Sequence, residues 1–130
     1  MDHDNRGKCI IFSHEKFDSH LQLHERKETD KDVQKLNECL KKYGFDVMVY
    51  QDLRYEVIFE KIGEVALEDH SKNDCLMIII LTHGNENPYE GEILYARNRH
   101  YKLELITSAF NGVLVGKPKI FIIQVNNTYH

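Results

Sequence analysis

Seven apolar residues in succession, Cys75-Leu76-Met77-Ile78-Ile79-Ile80-Leu81, constrain this chain more than any other stretch. The run is far shorter than the roughly 18 residues that mark a membrane span. It has neither the 3.6-residue period of an amphipathic helix nor the alternation of a half-exposed strand. A short, unbroken, isoleucine-rich run is what a strand covered on both faces requires, and such strands belong to parallel sheets. The remaining segments fit that requirement. Residues 8–12 and 45–50 read as further strands, and residues 29–42 and 54–67 read as helices. Val33, Leu36, Cys39 and Leu40 form one face of the first helix, with Thr29 or Asp30 as its cap and Gly44 as its stop. Ile58, Ile62, Val65 and Ala66 form the inward face of the second. Residues 92–103 suggest a small hairpin, 103–112 a short helix and 117–125 a last strand. The order β-α-β-α-β-hairpin-α-β predicts an α/β fold: a mostly parallel sheet with helices on both faces, in three layers. Residues 13–28 are polar without a clean period and read as a long loop, which in a compact domain is often functional.

The chain has 130 residues, which suggests one domain over residues 1–130. Its 42% hydrophobic content argues against disorder, and its net charge of −4 argues against nucleic acid or an anionic membrane as partner. The amino terminus has no signal-peptide pattern. Three scattered cysteines, Cys9, Cys39 and Cys75, suit a reducing compartment, so a cytoplasmic location is expected. The Asn126-Asn127-Thr128 sequon is expected to go unused there.

Sites in open α/β sheets lie beyond the carboxyl ends of the strands. Two of those ends turn abruptly polar, at Thr82-His83-Gly84 and at Gln124-Val125-Asn126. A histidine there can exchange protons near neutral pH. A glycine there lets a backbone N–H approach an oxyanion. Asn126 is a carboxamide, a very poor nucleophile; a cysteine in its place would complete a Cys/His dyad. His20 and His24 lie four apart but lack a third ligand, so no metal and no cofactor are expected.

Four segments in order carry a resemblance. They are Cys9–Phe12 with His14–His20, Glu25-Arg26 with Glu28-Thr29, Asp32 and Leu36, the run from Leu67 to Gly84, and Gly116–Gln124. Together they resemble the large subunit of the caspases, aspartate-specific cysteine proteases, most closely the executioner type. The family's Q-A-C-[RQG]-G signature reads here Gln124-Val125-Asn126-Asn127-Thr128. The resemblance therefore places His83, Gly84 and Asn126 at the catalytic positions, with Asn126 at that of the cysteine. It places Arg26 and Gln124 in the pocket for the substrate aspartate, whose third member comes from a small subunit. Three further departures are Glu28 at a family glycine and Asn85 and Asn87 after the histidine.

A retained framework with a changed nucleophile implies a catalytically inactive caspase homologue that regulates an active caspase in apoptosis by association. The alternatives are an active aspartate-specific endopeptidase whose nucleophile was replaced, and a plain α/β binding module. The family's small subunit adds strands beside the last large-subunit strand. Residues 119–125 should then offer an open edge or an uncovered apolar face. The expected partner is an active caspase or a caspase small subunit, in a hetero- or homo-oligomer.

Overall fold

A computed structural model describes residues 5–27, 29–113 and 116–127. The elements run β1 Asn5–Ser13, α1 Thr29–Lys42, β2 Phe45–Gln51, α2 Tyr55–Leu67 and β3 Asn73–Asn87. They continue with β4 Gly91–Tyr95, β5 His100–Lys102, α3 Leu103–Ser108 and β6 Lys119–Asn127. A three-residue 3-10 turn, Ser19–Leu21, interrupts the long loop after β1.

The apolar run is the inner part of β3, and β3 organises the sheet. Its first half pairs in parallel with β1, Cys75 opposite Gly7 and Leu81 opposite Ser13. Its opposite edge pairs in parallel with β6 from Leu76–Lys119 to Gly84–Asn127. Beyond the end of β1, residues Gly84–Asn87 pair antiparallel with β4, which pairs with β5. The strand order is β2-β1-β3-β4-β5, with β6 on the other side of β3. The sheet is therefore mixed. The hairpin supplies its antiparallel part.

Alternation along β3 divides the core in two. Leu76, Ile78 and Ile80 face α2 and α3, packing with Ile10, Phe12, Ile58, Ile62, Ile106 and Phe110. Cys75, Met77, Ile79 and Leu81 face α1 and pack with Cys9, Ile11, Val33, Leu36 and Leu40. The three-layer α/β/α arrangement follows the sequence pattern, because a strand apolar on both faces needs a helical cover on each.

Three details differ from the sequence reading. β3 runs on through His83 and Gly84 to Asn87, because β4 takes over the hydrogen-bonding edge that β1 leaves. Cys39 is exposed, lying off the Val33-Leu36-Leu40 face beside Lys35, Lys42 and Tyr43. Thr29 does not cap α1: it is the first helical residue, and its hydroxyl donates to the Arg26 carbonyl at 2.6 Å. Gly44 does end the α1 turn, in the left-handed region at φ 88°.

Among the described residues β6 pairs only with β3. Its α1-side residues Ile120 and Ile122 are 37% and 45% exposed, because α1 covers the other half of that face. Phe121 and Ile123, pointing the other way, pack against the α2/α3 core. No described helix is long and apolar enough to cross a membrane.

Where β1 meets β3, a Cβ on Gly7 would overlap the Cys75 carbonyl oxygen. The obstacle is backbone of the central strand and cannot swing aside. Gly7→Ala is expected to lower unfolding stability by about 2 kcal/mol or more, as overpacking does. A fall in the urea midpoint with an unchanged slope checks this.

Candidate functional site

The parallel register of β3 and β6 puts His83 directly opposite Asn126. Both residues have the parity of Leu81, so their side chains project on the α1 face at the carboxyl end of the sheet. The His83 ring is almost fully buried. Its Nε2 lies 2.7 Å from the His24 carbonyl oxygen, and its Nδ1 lies 3.2 Å from the Asn126 carbonyl oxygen. A carbonyl oxygen only accepts, and a neutral imidazole carries one N–H. The neutral ring therefore satisfies one of these contacts at a time. Phe17 lies against the ring at 5.1 Å between centroids and in turn stacks on His14 at 6.1 Å.

Arg26 comes from the loop after β1, which is pinned at several points. His14 N–H donates to the Leu81 carbonyl, and the Asp52 carboxylate accepts from the Glu15 and Lys16 N–H groups at 2.8 and 3.0 Å. Asp18 N–H donates to the Arg97 carbonyl, and its carboxylate lies 3.4 Å from both Arg54 and Arg97. Arg26 N–H returns to the Glu15 carbonyl at 2.9 Å. The guanidinium is buried. Its Nη1 donates to the His14 carbonyl at 3.0 Å and to the Thr29 hydroxyl at 3.3 Å. Its Nε makes no hydrogen bond among the described residues. Burial pulls the guanidinium below its usual pKa, and Asp32 opposes that shift. A freely solvated loop charge is ruled out at this position.

Arg26, Gln124 and Asn126 line one shallow pocket of about 290 Å³, together with Glu25, Lys27, Thr29 and Asp32. The structure thus brings four of the five sequence-predicted residues together, three in the pocket and His83 beside Asn126. Gly84 sits on the opposite face of β3, between β4 and β6. A Cβ there would lie 2.6 Å from the Ile93 carbonyl oxygen and 3.1 Å from Val125 Cγ1, so close packing alone demands glycine. Glu28 and Thr128 lie outside the described residues. Cys9 and Cys75 are buried in the opposite half of the sheet, Cys75 eight residues and so roughly 26 Å of strand before His83. Burial pushes the Cys9 thiol up to about 12, with Cys75 adding to the shift. A thiol so poised is inert. Among the described residues no group of three or more His, Cys, Asp or Glu side chains is placed to hold a metal ion.

His14 is the feature that sequence reasoning missed. It follows the end of β1 as His83 follows the apolar run of β3, so the same strand-end rule had the signal. Its ring is wholly buried, and neither nitrogen has a hydrogen-bond partner among the described residues. Burial holds its pKa down to about 4, with Asp52 raising it and Arg26 lowering it. It is a neutral prop behind Phe17 and below Arg26.

An α/β/α sheet with a histidine just beyond the apolar run of its central strand, and an arginine-lined pocket beside it, has the layout of one class of peptidase fold. The Caspase domain profile matches residues 6–127, and the chain belongs to the caspase family. It is 41% identical over 128 residues to Caspase-6 of Gallus gallus, covering 95% of this chain and 40% of that protein. It is 42% identical to Caspase-1 of Spodoptera frugiperda over 95% of this chain and 41% of that one. The solved structure described as pro-sf-caspase-1 superposes with a TM-score of 0.89 at 39% identity, over all of this chain and 49% of that chain. This chain therefore spans about 40% of the length of the curated relatives it matches.

The neutral state of His14 makes stability depend on pH. The unfolded chain takes up a proton as pH falls through about 6.5, while the folded chain resists until about 4. Stability is lost as pH falls across that window, by about 2 kcal/mol between pH 7.5 and pH 5. Urea unfolding at the two pH values checks this. His14→Leu should flatten the difference.

Proposed function

We propose that this chain is a catalytically inactive caspase homologue that regulates an active caspase in apoptosis by associating with it. The observation that carries the proposal is the residue in register with His83, which is Asn126. A carboxamide has no proton to give up near neutral pH and no anion with which to attack a carbonyl. The family's acyl-enzyme route then has a proton-exchanging histidine and no nucleophile. The inert, distant thiols of Cys9 and Cys75 offer no substitute.

The framework around the missing chemistry supports continued use. Arg26 and Gln124 remain beside Asn126 in one pocket, and the long loop remains pinned to hold Arg26 there. Guanidinium suits a carboxylate because its donors form a planar fork. The exposed side of β6, with Ile120 and Ile122, supports association. Its partner in this proposal is a caspase small subunit or an active caspase, and cytoplasm is the proposed compartment.

Titration of the protein into an active caspase, following cleavage of an aspartyl peptide, tests the reading. The expected outcome is no cleavage by the protein alone and a saturable rise or fall in the rate of the active enzyme. Cleavage with multiple turnovers by the protein alone would refute it. Asn126→Cys, supplied with a small subunit, is expected to remain inactive, because Val125, Asn127 and Thr128 also differ from the family signature. Restored cleavage by that single change would favour an active endopeptidase with a replaced nucleophile.

A further inference from the structure

On the α2/α3 side of the sheet, at the fork where β3 leaves β6 and continues beside β4, lies a second cavity of about 250 Å³. It does not communicate with the Arg26 pocket through a shared residue. Its floor is apolar, formed by Leu94, Ile123 and Val125, with Gly84 packed closely against Leu94 and Val125. Its rim is acidic. Glu86 and Glu92 stand directly opposite each other in the β3–β4 ladder, on the same face as Gly84 and Leu94. Every residue lining the cavity belongs to a strand, and none is basic. Val125 is 43% exposed, so the floor is reachable from solvent.

From this geometry we infer that the fork is a docking site for a protein segment that presents an arginine or lysine side chain. Two features select that occupant. Such side chains carry an apolar stem beneath a charged head, and the cavity offers an apolar floor beneath two carboxylates. Opposite charge across a contact also orients the encounter. A carboxylate ligand of the kind Arg26 suits would be repelled here. The two pockets lie on opposite faces of β6, Gln124 and Asn126 lining one and Ile123 and Val125 the other. The fork makes no use of His83 or Asn126, so this inference stands apart from the proposed loss of catalysis.

The test uses the 130-residue chain and a fluorescein-labelled peptide, Ala-Leu-Arg-Leu-Ala, read by fluorescence anisotropy. Binding is expected, and replacing the peptide's arginine by glutamine should weaken it about fivefold, the scale of two exposed ion pairs. The double variant Glu86→Gln/Glu92→Gln should weaken the arginine peptide to the same degree and leave the glutamine peptide unaffected. Amide and methyl NMR shifts on titration should centre on Leu94, Ile123 and Val125, which tests the location without any substitution. Equal affinity for the two peptides, or shifts confined to the Arg26 pocket, would overturn the inference. So would self-association of the chain that the double variant abolishes, since a second copy would then occupy the fork.

Discussion

The parallel ladder between β3 and β6 is the constraint on which the rest of this molecule depends. Nine backbone pairings run from Leu76–Lys119 to Gly84–Asn127, and they leave no freedom in what faces what. A slip of one residue would invert β6 and send its apolar residues to the wrong faces. Because Phe121 and Ile123 are wanted in the α2/α3 core, Gln124 and Asn126 are fixed on the α1 face, next to Leu81 and His83. The pairing of a histidine with an asparagine is thus a by-product of core packing. Hydrophobic register decides which side chains meet, and the chemistry available there depends only on their identities.

The second organising element is the loop between β1 and α1, where polar groups are buried without full satisfaction. Among the described residues the His14 ring, the Arg26 Nε and the buried Ser13 Oγ have no hydrogen-bond partner. Unpaired buried polar groups usually cost stability and are rare. Here they are tolerated because the surrounding backbone is over-determined: Asp52 bonds two loop amides, and Asp18 meets both Arg54 and Arg97. The rigidity that holds Arg26 in place and the strain of keeping His14 neutral belong to one arrangement.

Much of this was legible in the sequence. The unbroken apolar run of β3 implied a covered central strand, and the two helical periodicities implied its covers. The strand-end polar residues and the ordered matches to the caspase signature singled out His83, Asn126, Arg26 and Gln124, which the structure gathers at one end of the sheet. What escaped has physical reasons. The extension of β3 past Gly84 depends on pairing with β4 across the turn at residues 88–90, a cross-strand register that single-strand propensity does not encode. Cys39 sits at the margin of an apolar stripe, where helical spacing alone does not separate buried from exposed. His14 resembled any polar loop residue, because its burial comes from Phe17 and Arg26 folding over it. The opposition of Glu86 and Glu92 is a matter of hairpin register, set by the pairing of Asn87 with Gly91.

The position of β3 between partners from both directions has a consequence for how the chain is made. β1 precedes it by about 68 residues, while Asn126 follows His83 by 43. During synthesis at about 5–20 residues per second, β3 emerges with one neighbour already available and the other absent for roughly 2–9 s. For that interval the isoleucine-rich strand presents an open hydrogen-bonding edge, with α3 not yet backed by Phe121. Contacts this far apart in sequence also form slowly, since closing the intervening loop precedes any gain from pairing. The nascent chain is thus at its most adhesive just before β6 arrives, and that is the stage at which a folding helper would have the most surface to hold.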